Sequence, residues 1–384
     1  MGDGEKEKGL SILLRRLFHW GPFVALFIIK FVFFTCVYLT SLWLPPYESV
    51  EGTINYFLYM AAIGLIMYNF LCSVALGGGF VPKGWKPESP AQESLLQYCN
   101  ICKGYKAPRS HHCRRCERCV LKMDHHCPWI NTCVGHRNHM NFCYFLLFCV
   151  TGALHSLVLL TIGLQRAYNA RWYEEMDERL LHLTFPLAVC TVLSIGLALG
   201  VVIALGCLLY VQMSIVLKNQ TGIETWIHQK AEMRQEELGT NDWVYPYDLG
   251  SYRNFRMVFC DRPSDGIVWP VLSGCDQYTL TREQILQKED KRMRQRLYIV
   301  TKGFRGGFFP WCGHGVCTCV RTPLNGEPRL KLAVGDRVFV TRWKEHWLYG
   351  QRNSPSRAEV EDDPPKGWFP RDCVIACVAS RKDL

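Results

Sequence analysis

Between Cys99 and Phe142 the sequence gathers the side chains that bind soft metals and attack carbonyl carbon. It reads Cys99-x2-Cys102, then Pro108-Arg109-Ser110-His111-His112-Cys113-x2-Cys116-x2-Cys119, then Asp124-His125-His126-Cys127-Pro128-Trp129, with Asn131, Cys133, Asn138 and Phe142 beyond. Thiolate and imidazole ligands at such short spacings are what tetrahedral zinc requires. Two closed Cys3His sites would consume six cysteines and two histidines, and seven cysteines fall between Cys99 and Cys133. One sulfur is therefore left over, and a spare thiol in a block otherwise committed to metal is a candidate nucleophile. Spacing alone does not single it out. Cys127 has the best local case because His125 and His126 adjoin it. Adjacent side chains point apart, so one histidine can bind metal while the other serves the thiol, and Pro128 biases Cys127 towards extended backbone.

The segments that must position this block are apolar. Residues 23–44, 54–76 and 142–164 are runs of membrane-spanning length interrupted by charge at Lys30, and from Leu180 to Leu217 no Asp, Glu, Lys or Arg occurs. A span needs about 20 apolar residues. The 384-residue chain, 49% hydrophobic, is thus read as an integral membrane protein. That excludes a soluble enzyme, a disordered chain and a small disulfide scaffold. The last run is read as one tilted or interface-extended helix, with Gly196 and Gly200 spaced for close helix contact.

Charge placement orients the spans. Lys and Arg number 44 against 34 Asp and Glu, and 26 of the 44 follow Leu217. Segment 77–141 holds ten basic residues against four acids, whereas loop 45–53 carries Glu48 and Glu51 with no basic residue. In loop 165–183 the acids also outnumber the bases. The positive-inside rule then puts the N-terminus, 77–141 and the tail in the cytosol. Clustered cysteines in a reducing compartment point to metal or catalysis, not disulfides. His136 and His139, lacking spare cysteine partners, are read as packed side chains.

The CxxC, HC, CxxC and Asp-His-His-Cys series resembles the cysteine-rich domain of the DHHC protein S-acyltransferases (palmitoyltransferases), and the four spans around it agree. The resemblance implies one structural zinc on Cys99, Cys102, His112 and Cys119 and a second on Cys113, Cys116, His126 and Cys133. Cys127 would carry the acyl group, with His125 as its base and Asp124 orienting that imidazole. An unperturbed thiol (pKa ~8.5) is mostly protonated at neutral pH, so it needs such a base. Palmitoyl-CoA would be the co-substrate and cysteines of membrane-associated proteins the acceptors. Lys106, Arg109 and His111 are candidate contacts for the anionic CoA head. Thr221-Gly222-Ile223-Glu224 resembles the family's Thr-Thr-x-Glu motif with glycine second, and Asn254 its C-terminal bracing motif. Gly77-Gly78-Gly79 stands where Asp-Pro-Gly is expected, and no role is carried over to it.

After a charged, helical 281–296, short alternating runs around Leu330, Val338, Trp347 and Trp368 resemble an SH3 domain over 297–378. DHHC enzymes with such a tail form a recognisable endoplasmic reticulum subgroup. Trp347 and Pro370 retain positions of a peptide groove, but Cys373 stands for the usual tyrosine. Cys312, Cys317 and Cys319 are candidates for metal binding with His314 or for acylation. Arg381-Lys382 resembles a dibasic retrieval signal. The expected organisation is a cytosolic N-terminus (1–22), spans 1 and 2 (23–76), a cytosolic zinc domain (77–141), spans 3 and 4 (142–217), a linker with the bracing motif (218–296), an SH3-like β domain (297–378) and a tail (379–384). The fold class is a mainly α membrane protein with a β tail domain. The expected function is two-step S-acyl transfer through acyl-Cys127. The alternative is a catalytically silent membrane adaptor working through partners of its SH3-like unit. A nucleic-acid-binding finger would not sit between two spans.

Overall fold

The computed structural model describes residues 11–176, 179–240, 242–261, 264–307, 311–324, 327–353 and 365–377. The chain divides into two compact units, Met1–Arg282 and Glu283–Leu384. Arg381-Lys382 and the side chain of Cys312 lie outside the described residues.

Among the described residues four helices are long and apolar enough to cross a membrane: α1 (Trp20–Trp43), α2 (Val50–Leu76), α3 (His139–Tyr168) and α4 (Phe185–Lys218). α4 has the length expected of a single uninterrupted helix, with a proline in its first turn and left-handed Asn219 ending it. α3 lies at the centre, packing against each of the other three spans. Ile66, Phe70 and Val74 of α2 meet Phe142, Phe145, Leu146 and Cys149 of α3 in one apolar cluster, which Cys127, Ile130 and Val134 join from below. The bundle and the cysteine-rich block therefore share a core.

Close helix contact falls elsewhere than the glycine spacing implied. Gly196 and Gly200 have open space where a side chain would begin, because α4 buries a mere 11% of its most apolar stretch. Gly163 of α3 is the tight position, where an added Cβ would lie 2.7 Å from Leu39 of α1.

Between α2 and α3 the chain forms three two-stranded antiparallel hairpins. They pair β1 (Tyr98–Cys99) with β2 (Gly104–Tyr105), β3 (His111–Cys113) with β4 (Arg118–Val120), and β5 (His125–Cys127) with β6 (Thr132–Val134). Gly78 packs into this block, its missing Cβ 2.7 Å from Val120 and 3.0 Å from the Cys133 carbonyl. The triple glycine thus allows backbone to lie flush on the hairpins. After α4 come α5 (Gly222–Leu238) and α6 (Ser251–Phe259). Thr221 and Glu224 form a reciprocal capping box on α5, a device that stabilises a helix start by about 1 kcal/mol.

In the second unit, following α7 (Thr279–Met293), lies a five-stranded antiparallel sheet in the order β10-β9-β8-β7-β11. Its strands are β7 (Arg296–Val300), β8 (Arg337–Trp343), β9 (Trp347–Asn353), β10 (Lys366–Pro370) and β11 (Val374–Ala376). Between β7 and β8 lie two short helices, α8 (Trp311–His314) and α9 (Val316–Val320). Trp347 is fully buried and donates its indole N–H to the Thr318 carbonyl at 2.8 Å. Pro370 and Cys373 are buried too. Trp347 therefore does not remain on the surface as a groove residue, because α9 covers it.

Inserting a large side chain into a tight helix contact costs about 1–3 kcal/mol. Gly163→Leu should lower the thermal midpoint of the detergent-solubilised protein by several degrees, while Gly200→Leu leaves it near the parent value. Equal losses at both positions would contradict the packing described.

Candidate active site

Strand geometry sorts the histidines. In an extended strand alternate residues face opposite sides, so β5 turns His126 one way and His125 with Cys127 the other. His126 sits opposite Cys133 in the β5–β6 register, and His112 sits opposite Cys119 in β3–β4. Two four-donor sets result, Cys99/Cys102/His112/Cys119 and Cys113/Cys116/His126/Cys133, each with all ligand atoms within 4.8 Å of one another. The Cys99 and Cys102 Sγ atoms lie 3.5 Å from His112 Nδ1, and Cys119 Sγ lies 3.9 Å away. Around His126 Nδ1 the three sulfurs lie at 3.4–3.7 Å. Zinc bond lengths of ~2.0–2.3 Å in a tetrahedron give edges of about 3.5–3.8 Å. Both sets fit zinc, with thiolate-rich, fully protein-ligated shells of the structural type.

The sets are offset by fourteen residues at every ligand: Cys99 to Cys113, Cys102 to Cys116, His112 to His126 and Cys119 to Cys133. The same step carries Cys113 to Cys127 and then reaches Ile130, not a second cysteine. Cys127 is thus the first ligand of a third set that is never completed. Among the described residues it joins neither metal set. It is buried in the apolar cluster shared with α2 and α3. This internal period of fourteen is a sequence signal that a reading of the individual spacings passes over.

The imidazole of His125 bonds through Nδ1 to the Asp124 carboxylate at 2.7 Å and interacts with the Cys127 thiol two residues on. Burial works against its charged form, but the bonds to Asp124 and Cys127 lift its pKa to about 9. Asp124 is gripped from three elements. Oδ2 accepts from His125 and from Gln212 Nε2 of α4 at 3.0 Å, and Oδ1 accepts from the Gly222 backbone N–H at 2.7 Å. Burial opposes ionisation, yet these donors together hold the carboxyl well below the usual carboxylate range. The glycine in Thr221-Gly222-Ile223-Glu224 does not weaken the motif's grip, because the contact comes from backbone.

Sequence reading missed Gln212 and His139. His139 Nε2 hydrogen-bonds Gln212 Oε1 at 2.9 Å, so the buried amide is held at both ends. The legible signal was a Gln placed in a run otherwise free of strongly polar side chains, since buried polar groups in spans need partners.

Arg109 is not where a CoA head could meet it. Its guanidinium is fully buried, with Nε and Nη2 each 2.7 Å from Glu224 carboxylate oxygens. It also donates to Asn219 Oδ1 at 3.0 Å and to the Asn219 carbonyl at 2.7 Å. The Tyr247 and Trp269 rings lie against it. The positive-charge reading failed because it ignored the acid 115 residues away. Lys106 and His111 are half-buried at the surface of the block. Lys122, buried beside Arg109, has its pKa pushed down to about 7 by burial first and that guanidinium second. Asn254 caps the end of α4 through the Leu217 carbonyl at 2.8 Å and bonds Asp248 at 2.7 Å, and Asn138 ties α2 to β6 through the Ser73 and Cys133 carbonyls. His136 packs on Trp269.

Between the spans lies a small apolar cavity of about 60 Å³ lined by Ile28, Val32, Tyr59, Ile66, Cys149 and Ala198 among others. Ile66 and Cys149 belong also to the cluster that surrounds Cys127.

Comparison with known proteins agrees with this geometry. The family model for DHHC palmitoyltransferase matches residues 92–229. Palmitoyltransferase ZDHHC6 of Mus musculus is 40% identical over 382 residues, covering 95% of this chain and 92% of the relative. The Danio rerio protein of the same name is 41% identical over 383 residues, with 95% and 93% covered. Probable protein S-acyltransferase 16 of Arabidopsis thaliana is 36% identical over 246 residues, 61% of this chain and 82% of the relative.

Removing one partner of a buried ion pair leaves an uncompensated charge and costs about 3–5 kcal/mol. Glu224→Gln should show a loss of that order in denaturant unfolding, and the double variant Arg109→Met/Glu224→Leu should recover most of it. Strict additivity of the two single losses would rule out the coupling.

Proposed function

Because the chain belongs to the DHHC palmitoyltransferase family, and is a multi-pass membrane protein S-acyltransferase, we propose that Cys127 carries the acyl group between donor and acceptor. The observation that carries this reading is the sulfur left outside both metal sets, beside an imidazole that Asp124 holds.

In the first step His125 takes the Cys127 proton, and the sulfur attacks the thioester carbonyl of a long-chain acyl-CoA such as palmitoyl-CoA. The C–S bond to CoA breaks, and the departing thiolate takes the proton back from His125. In the second step His125 accepts the proton of an acceptor-protein cysteine, whose sulfur attacks the acyl-Cys127 carbonyl. Cys127 leaves as thiolate and is reprotonated. Asp124 keeps the imidazole in one tautomer and stabilises its charged form, as in other triads. Zinc, when bound, supplies rigidity to a loop with little apolar content and leaves no open position for substrate. The apolar cavity between the spans, which shares Ile66 and Cys149 with the cluster around Cys127, supports an acyl chain lying among the helices. Lys106 and His111 are the proposed head-group contacts, Arg109 being engaged with Glu224.

The charge bias supports a cytosolic zinc domain, N-terminus and tail, and the Arg381-Lys382 dipeptide of the sequence supports residence in the endoplasmic reticulum membrane. The five-stranded sheet supports an SH3-like domain over 297–378. Of the tail cysteines, Cys317 is exposed and Cys319 buried, so Cys317 is the better acceptor of a fatty acyl group. Changing Cys312, Cys317 and Cys319 to Ser should remove label from the tail, and unchanged label would exclude acylation there.

Purified protein incubated with labelled palmitoyl-CoA should acquire a hydroxylamine-sensitive label that Cys127→Ser abolishes. His125→Ala should slow labelling by about 100-fold or more, the usual scale of a general base. Labelling that persists in Cys127→Ser would overturn the assignment.

A further inference from the structure

The second unit contains a further convergence of donor atoms. His314 Nδ1, at the end of α8, lies 2.9 Å from Asp372 Oδ1 and 3.7 Å from Cys373 Sγ. The same sulfur lies 4.0 Å from Asp372 Oδ1. The three ligand atoms fall within 4.8 Å of one another. The reading that grouped His314 with Cys312, Cys317 and Cys319 is revised: among the described residues the donors around His314 come from the turn before β11.

Two chemistries use a thiol, an imidazole and a carboxylate, and geometry separates them. A nucleophilic relay needs the two ring nitrogens to face opposite ways, the thiol on one and the carboxylate on the other. At His314 the sulfur and the carboxylate face the same nitrogen, Nδ1. One ring N–H cannot serve both, and no proton can pass through the ring between them. Donors that converge on a single point are instead what a cation requires. The sulfur-to-Nδ1 distance of 3.7 Å falls inside the 3.4–3.9 Å range of the same separation in the two Cys3His sets.

The surroundings fit a metal shell. Cys373 is fully buried, and the His314 side chain is 7% exposed with Phe304 edge-on to its ring. Both ligand orientations are thereby fixed. Asp372 presents both oxygens to His314 Nδ1, Oδ1 at 2.9 Å and Oδ2 at 3.1 Å, while Lys302 Nζ lies 3.2 Å from Oδ2. A cation on Oδ1 leaves that ammonium in place as an outer-shell partner of the carboxylate. Thiolate, imidazole and carboxylate together select zinc over magnesium or calcium.

We propose that His314, Asp372 and Cys373 form a third zinc site that fastens the α8–α9 segment to the β10–β11 turn. The fourth position would be filled by water, as in other three-ligand zinc sites. Such a staple would hold in place the segment that covers Trp347.

Full-length protein, equilibrated with buffered free zinc and then desalted, should carry about three zinc ions per chain by elemental analysis. His314→Ala and Cys373→Ala should each carry about two. Asp372→Asn alters a half-exposed carboxylate and tests the same loss without disturbing the core. In all three, self-labelling of Cys127 with palmitoyl-CoA should persist, reporting that the two Cys3His sets are intact. Two zinc ions in the parent protein would overturn the proposal, and so would three in Asp372→Asn together with either other variant.

Discussion

The cysteine-rich block has little apolar surface of its own with which to hold its strands in place, and the rest of the structure depends on how that deficit is met. Metal coordination fixes the hairpins, and because the second and third place a zinc-binding histidine opposite a zinc-binding cysteine, strand alternation decides the rest. Once His126 is turned towards the metal, His125 and Cys127 must share the other face. Cys127 and its neighbouring imidazole are thus oriented by a bond neither of them makes.

That orientation would be of little use without a fixed carboxylate. Asp124 is reached by a strand neighbour, by an amide from the end of a membrane helix and by the first turn of the helix that follows. Directly behind it the Arg109–Glu224 pair joins the loop to the same helix start. Asn254 then closes the end of the last span. The soluble block and the bundle are therefore one mechanical unit around the triad, and the shared apolar cluster reaches from Cys127 up between the helices.

Much of this was legible in the residues. Apolar run lengths gave the spans, and Cys/His spacing gave the metal chemistry and the leftover sulfur, because both follow from local rules. What stayed hidden depends on long-range partners. Arg109 looked like a surface cation until its acid partner was brought beside it, and Gln212 looked like one more residue of a span. Glycine spacing misplaced the tight helix contact, since the same pattern serves a peripheral helix without any neighbour. In the tail, strand patterning was visible, but a Gly- and Cys-rich stretch gave no hint that it would fold over Trp347.

The hold on Asp124 by Gly222 has a consequence for mutational mapping. Its donor is a main-chain amide, and a Cβ at that position would stand 3.5 Å from the carboxylate, an ordinary contact distance. Conventional alanine scanning would score residue 222 as dispensable while leaving its contribution untouched. Proline, the imino acid without that hydrogen, is the natural replacement that would expose it.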